Sequence, residues 1–159
     1  GYNLNTDAIV CRAKFSPNGK KFIALCSNHT TRLWQTANRR AIGHPMMHED
    51  AVENVFFSAN GKWVVTQCDN RTVSIWDASS TAIIKTLKLG VGINNIALSA
   101  DGKRILATCG DQTARIWETA TGNPVGIPLR HTDISSAAFS PDGKWVVTAG
   151  GITRYAFGI

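Results

Sequence analysis

A six-residue phrase recurs four times along this chain at an almost constant interval. Phe15-Ser16-Pro17-Asn18-Gly19-Lys20 is matched by Phe57-Ser58-Ala59-Asn60-Gly61-Lys62, by Leu98-Ser99-Ala100-Asp101-Gly102-Lys103 and by Phe139-Ser140-Pro141-Asp142-Gly143-Lys144, at spacings of 42, 41 and 41 residues. A tryptophan stands 19 residues beyond the first three openings, at Trp34, Trp76 and Trp117, and an acid follows two of them, Asp77 and Glu118. Two independent markers with one period make the chain an array of like units. A unit of about 40 residues cannot cover both its faces, so successive units must stack.

Each phrase places Asn-Gly or Asp-Gly between short runs of β-branched and apolar residues, such as 54–57 and 63–66. This is the signature of a hairpin, because Asn, Asp and Gly tolerate the positive φ of a tight reversal while valines and aromatics suit a pleated surface. A second turn, at Asn28-His29-Thr30, Asn70-Arg71-Thr72 or Asp111-Gln112-Thr113, leads into a third run that ends at the tryptophan. A fourth run follows, over 82–87 or 124–129, which makes four strands per unit. Gly or Pro interrupts any longer 3.6-residue pattern, so no helix is expected. The expected class is all-β, with four-stranded antiparallel sheets stacked radially as a propeller.

Composition narrows the function. At 159 residues and 43% hydrophobic the chain has the size of one ordinary domain. No apolar run reaches the length of a membrane-spanning helix, and the first ten residues lack a basic segment followed by an apolar one. The opening glycine leaves two origins, a lost initiator methionine or a piece of a longer protein. The 17 Lys and Arg exceed the 11 Asp and Glu by six, but they are dispersed from Arg12 to Arg154 in nothing denser than pairs, the pattern of solvated surface charge.

The markers resemble those of the WD-repeat family of β-propellers, from about Asp7 to Phe157. The resemblance divides the chain into repeats at about 7–47, 48–88, 89–130 and 131–159. It implies a side-chain hydrogen-bond network of His48, Thr66, Asn70 and Trp76 in the second repeat, with partial versions around Asn28 and Trp34, around Asp111 and Trp117, and at His131. In the fourth repeat the tryptophan is missing. A one-residue deletion in the turn would put Thr153 in the turn-threonine position and Phe157 in place of tryptophan, without the indole N–H. Residues 2–5 are expected to supply the missing outer strand, as rings of this family close. Four sheets imply about half a ring, completed by a second chain or by further repeats. Gly61-Lys62-Trp63-Val64-Val65-Thr66 also recurs as Gly143-Lys144-Trp145-Val146-Val147-Thr148, and both repeats carry the histidine, so alternate repeats look like siblings.

No catalytic or metal constellation emerges, and no cofactor is expected. Cys26, Cys68 and Cys109 occupy one position in three different sheets, too far apart for disulfides, and with Cys11 they read as buried free thiols of a reducing, cytoplasmic setting. His29 and His44 have no serine or cysteine nucleophile in a recognisable setting. Asn28 and Asn70 form Asn-x-Thr sequences, which are the turn motif itself. What is left is surface. In the family the loops joining the second to the third strand, and the fourth to the next first, share a face that commonly binds partners. Here that face would carry Ser27, Asn28, His29, Glu49, Asp50, Asp69, Asn70, Arg71, Gly110, Asp111, Gln112, Thr132 and Asp133. The opposite face would carry Lys20, Lys62, Lys103 and Lys144 as a partial basic ring. The expected function is a non-enzymatic interaction scaffold or sensor module for a protein or peptide, with a nucleic acid or another anion on the lysine ring as the alternative.

Overall fold

The computed structural model describes residues 8–130, 132–150 and 153–158. Fifteen strands form four antiparallel sheets. Sheet 1 is built from β1 (Val10–Phe15), β2 (Lys21–Cys26), β3 (Thr30–Gln35) and β4 (Ala41–Met47), and sheet 2 from β5 (Val52–Phe57), β6 (Trp63–Cys68), β7 (Thr72–Asp77) and β8 (Ile83–Lys88). Sheet 3 holds β9 (Ile93–Leu98), β10 (Arg104–Cys109), β11 (Thr113–Glu118) and β12 (Leu129–Arg130), and sheet 4 holds β13 (Ser136–Phe139), β14 (Trp145–Gly150) and β15 (Thr153–Gly158). In each the strands lie side by side in chain order. The sheets are the blades of a partial propeller, and they do not close a ring.

The recurring phrase makes the same turn four times. The amide of Gly19, Gly61, Gly102 and Gly143 reaches back to the carbonyl of Ser16, Ser58, Ser99 and Ser140 at 2.8–2.9 Å. Only the glycine is left-handed, at φ 66–70°. The Asn or Asp before it keeps a negative φ and serves as an acceptor instead. Asn18, Asn60, Asp101 and Asp142 each take the serine hydroxyl at 2.6–2.9 Å and the following lysine amide at 3.0–3.1 Å. Glycine thus supplies the conformation and its neighbour the bonds.

Strand alternation gives every sheet two apolar faces, and the faces of neighbours fuse into three cores. Ile23, Leu25 and Leu33 of sheet 1 pack with Val55, Val64 and Trp76 of sheet 2. Val65, Val73 and Ile75 of sheet 2 pack with Ile96, Ile105 and Trp117 of sheet 3, and Leu106 and Ile116 of sheet 3 with Ile134, Ala137 and Val146 of sheet 4. Trp76 and Trp117 therefore point toward the preceding sheet. We call that the leading face of a blade, and the opposite side its trailing face.

Four expectations require adjustment or fall outside the described residues. The outer run of sheet 3 does not pair continuously over 124–129: only Leu129 and Arg130 form a strand, with an isolated bridge from Pro124 to Trp117. Pro124 and Pro128 have no amide to donate, and Gly126 turns left-handed at φ 68° between them. Cys11 is exposed and Cys26 half-buried, so only Cys68 and Cys109 are buried thiols; among the described residues no sheet pairs a further blade ahead of β1. His131 and the proposed closing strand at 2–5 lie outside the described residues.

The fourth blade keeps the register of the others despite its missing tryptophan. Val146 faces Phe157 as Val64 faces Trp76, and Gly150 faces Thr153 as Cys68 faces Thr72. The connecting turn is one residue shorter, as the deletion reading requires.

Candidate functional site

The turns after β2, β6 and β10 and the connections that enter β5, β9 and β13 gather at one end of the stack. Backbone bonds tie them there: His48 N to His29 O, Asp69 N to Ala51 O, Leu89 N to Arg71 O and Gly110 N to Gly92 O, at 2.8–3.2 Å. The Gly-Lys turns sit at the other end, where Thr36, Ala78 and Thr119 donate to the carbonyls of Lys20, Lys62 and Lys103. Ser27, His29, Glu49, Asp69, Arg71, Gln112, Thr132 and Asp133 are exposed at the first end, and Asp50 is half-buried there.

Three residues at this end share an unusual backbone. His29, Arg71 and Gln112 occupy the same turn position with φ of 60°, 64° and 64°. The turn residue before each accepts the hydroxyl of the threonine after it: Asn28 from Thr30 at 2.7 Å, Asn70 from Thr72 at 2.6 Å and Asp111 from Thr113 at 2.6 Å. These bonds hold the tips in a left-handed conformation that costs a residue other than glycine roughly 1–2 kcal/mol. Three unlike side chains are therefore held outward from equivalent places.

Acids surround the first two tips. Gln67 Nε2 donates to Glu53 Oε2 at 2.8 Å. A hydrogen bond shared with the Asp69 side chain, and then burial, push the Glu53 carboxyl above the usual carboxylate range. Glu49 pairs with Lys88 at 3.7 Å, an exposed contact of little consequence for stability. Under the third tip Asp111 is not left waiting for a histidine. Arg115 Nη2 donates to Asp111 Oδ2 at 2.6 Å, while Thr113 takes the other oxygen. The Thr113 hydroxyl bond, ahead of the arginine, holds Asp111 below the usual carboxylate range.

The structure divides the residues of the implied network into three separate contacts. Trp76 Nε1 donates to Thr66 Oγ1 at 2.9 Å in a buried bond. Asn70 serves Thr72. His48 reaches neither Thr66 nor Asn70: its Nε2 lies 3.3 Å from Thr31 Oγ1 of the preceding blade and its Nδ1 3.6 Å from Cys68 Sγ, with the ring edge-on to Trp76 at 5.2 Å. A neutral ring protonated at Nε2 satisfies both, donating to Thr31 and accepting the thiol. Burial, followed by the charge of His29, lowers the pKa of His48 to about 4, and burial raises that of Cys68. Neither group ionises near neutrality, the reverse of an activated cysteine–histidine pair.

A pH dependence follows. The folded state holds His48 neutral down to pH about 4, whereas the unfolded chain protonates it near 6.5. Stability from this site is complete above pH 6.5 and is lost as pH falls from there through 4, a change of about 2 kcal/mol once its partial exposure is allowed for. Urea midpoints measured across that range should drop with acidity, and His48→Gln should flatten the drop.

The equivalents of the Trp76–Thr66 pair divide by blade. The threonine position is Ala24 in blade 1 and Ala107 in blade 3, and Thr148 in blade 4. Thr148 is fully buried, and its hydroxyl has no partner among the described residues, because Phe157 offers no N–H where Trp76 does. An unsatisfied buried hydroxyl is costly. Thr148→Val is expected to raise stability by about 1 kcal/mol, and Thr66→Val to lower it, in paired urea titrations.

At the opposite end Lys20, Lys62, Lys103 and Lys144 are all exposed. Their positive field is broken: Lys103 Nζ lies 3.8 Å from Asp101, and Asp142 accepts the amide of Lys144. Sequence reasoning passed over another set, Lys21, Trp63, Arg104 and Trp145, each six residues beyond the opening of its repeat. Lys21 Nζ donates to Ala78 O of the next blade at 2.6 Å, and Arg104 Nη1 to Gly143 O of the next at 3.1 Å. Trp63 lines a groove with Asp101, Lys103, Glu118 and Ala120 of blade 3. The alternation of cation and tryptophan at one repeat position was the available signal.

Among the described residues no group of three or more His, Cys, Asp and Glu is arranged to hold a metal, and no helix is long and apolar enough to cross a membrane. The family model described as WD domain, G-beta repeat matches residues 41–77, 83–118 and 122–151. Each match runs from the outer strand of one sheet through the third or second strand of the next, one strand out of phase with the sheets. No curated protein matches the chain.

Proposed function

Because the chain belongs to the WD-repeat family, whose repeats generally mediate protein–protein scaffolding, we propose that it is a non-enzymatic platform that binds a protein or peptide segment across His29, Arg71 and Gln112. The observation that carries this reading is the backbone of those three tips. Glycine would occupy each position at lower cost, yet each carries a different exposed polar side chain, with Arg71 Nη1 donating to the Gly90 carbonyl at 3.2 Å. Rigid sheets beneath the tips reduce the ordering cost of binding. Glu49, Asp50, Glu53 and Asp69 beside them favour a segment that carries positive charge. The lysine end has less support, since Asp101 and Asp142 interrupt it.

The test separates presentation from folding. Peptides selected from a random display library on the immobilised chain should bind the combined His29→Gly, Arg71→Gly, Gln112→Gly variant at least about tenfold more weakly, a loss of about 1.4 kcal/mol. The unfolding midpoint of that variant should hold or rise, because glycine relieves the left-handed strain. Selected peptides that bind this variant unchanged, and lose affinity when the four turn lysines become alanine, would defeat the proposal.

A further inference from the structure

The outer rim is closed at one seam and open at the next. Five residues beyond each tryptophan the turn into the fourth strand is left-handed, at Arg39, Thr81 and Gly122 with φ of 58°, 61° and 68°. Between blades 1 and 2, Thr81 Oγ1 reaches the His44 carbonyl of the neighbouring outer strand at 2.9 Å. Gly43 passes so near that a Cβ on it would lie 2.1 Å from the Ser80 carbonyl oxygen. Between blades 2 and 3 the corresponding turn residue is Gly122, which has no side chain to bridge the seam. Lys85 of β8 lies over it instead, with its Cγ 2.4 Å from where a Cβ would stand.

A groove of about 410 Å³ opens at this second seam, walled by 85–89 on one side and 124–128 on the other. Each wall is five consecutive residues, the length over which an extended chain runs about 17 Å. The floor is apolar: Leu87, Ile116 and Trp117 are buried, and Leu89 and Val125 half-buried. On the lip Ile127 is 85% exposed. It is held out there because the chain is anchored to β11 on both sides, by Val125 N on Ile116 O at 2.8 Å and by the pairing of Leu129 and Arg130, while Gly126 and Pro128 bulge between. Three cations line the groove, Lys85, Lys88 and Arg115, and no acid does. Arg115 is committed to Asp111, and Lys88 lies 3.7 Å from Glu49 in an exposed pair. Lys85 has no ion pair among the described residues.

We propose that this rim groove binds an extended peptide segment in which an acidic residue neighbours large apolar ones. The carboxylate meets Lys85, with Lys88 on the same strand beside it, and an apolar side chain rests on Leu87, Ile116 and Val125 under the cover of Ile127. Charge selects the occupant: cations without an acid among them repel a basic segment and draw an acidic one. The apolar floor and the exposed isoleucine suit a peptide side chain better than a nucleic-acid backbone, since apolar pockets with a few placed charges are what side chains fill. Every wall and floor residue lies among the described residues of blades 2 and 3, on the outside of the stack, so the site is complete whatever blades flank them. It is separate from the tips His29, Arg71 and Gln112, which favour the opposite charge, and it stands or falls independently of them.

Panning a random dodecapeptide display library on the His29→Gly, Arg71→Gly, Gln112→Gly chain, which lacks the tip side chains, tests it apart from the tips. The recovered peptides should be enriched in Asp or Glu beside Leu, Ile or Phe. By fluorescence polarisation, adding Lys85→Glu or Ile127→Asp to that chain should weaken them at least about tenfold, and Lys85→Arg should preserve binding. Both side chains are exposed, so circular dichroism and urea midpoints should not move. Amide shifts on peptide addition should cluster at 85–89 and 124–128. Recovery of no peptide, recovery of basic peptides, or peptides that bind the Lys85→Glu and Ile127→Asp chains as tightly as their parent would each overturn the proposal. So would a mixed-sequence oligonucleotide that binds and is lost with Lys85→Glu but not with Ile127→Asp.

Discussion

Trp76→Ala is expected to lower the unfolding free energy by about 3–5 kcal/mol, the largest loss from any single side chain of the second blade. The indole is 5% exposed and fills the seam between blades 1 and 2 with Ile23, Leu33, Val55 and Val64. Its removal leaves a cavity that two hydrogen-bonded sheets cannot collapse to fill, and it orphans the Thr66 hydroxyl besides. Trp76→Phe isolates the second part. It keeps an aromatic plug and recreates at Thr66 the condition of Thr148, at a cost of about 1–3 kcal/mol, part of which Thr66→Val should restore. Urea unfolding of the four proteins in this cycle gives the coupling directly. A coupling near zero would mean that the 2.9 Å bond contributes nothing to the seam.

Gly150→Cys should be nearly as damaging, by about 3 kcal/mol, although it installs the residue that the other three blades carry at this position. In blade 4 the backbone approaches too closely for any side chain: a Cβ on Gly150 would lie 1.5 Å from the Asp133 carbonyl oxygen and 2.9 Å from the Ile134 amide nitrogen. The obstructing atoms belong to the chain entering β13, where Asp133 is left-handed at φ 59°, so a rotamer change cannot relieve the clash. A thermal midpoint equal to that of the wild type would show that 133–134 moves aside freely. Repeat averaging, which recommends cysteine here, fails because the shortened turn changes what the position faces.

The fold was legible where one residue type does one local task. The period, the glycine turns and the tryptophans each repeat because each blade solves the same problem, and the register of β14 and β15 puts Phe157 in the tryptophan's position. Contacts between blades were less legible. His48 has the expected spacing, but its ring nitrogens serve Thr31 of one blade and Cys68 of another, a choice set by how two sheets approach. Thr148 was visible as a threonine of the repeat, but not as an acceptor deprived of its donor. The loss of pairing in the outer run of sheet 3 was written plainly in Pro124 and Pro128, whose missing amides outweigh the repeat pattern around them. Of the candidate site, sequence identified the tips and their acids. It did not show that His29, Arg71 and Gln112, rather than the asparagine or aspartate before them, take the left-handed backbone.

The alternation of Lys21, Trp63, Arg104 and Trp145 sets the grain at which this array can be edited. Excising a single blade would set a cationic trailing side against a neighbour shaped for an indole, or the reverse, at the new junction. Removing or inserting two at a time leaves each junction with a partner of its own kind. The exchangeable module is thus the doublet, and growth or shrinkage of such an array proceeds in even steps.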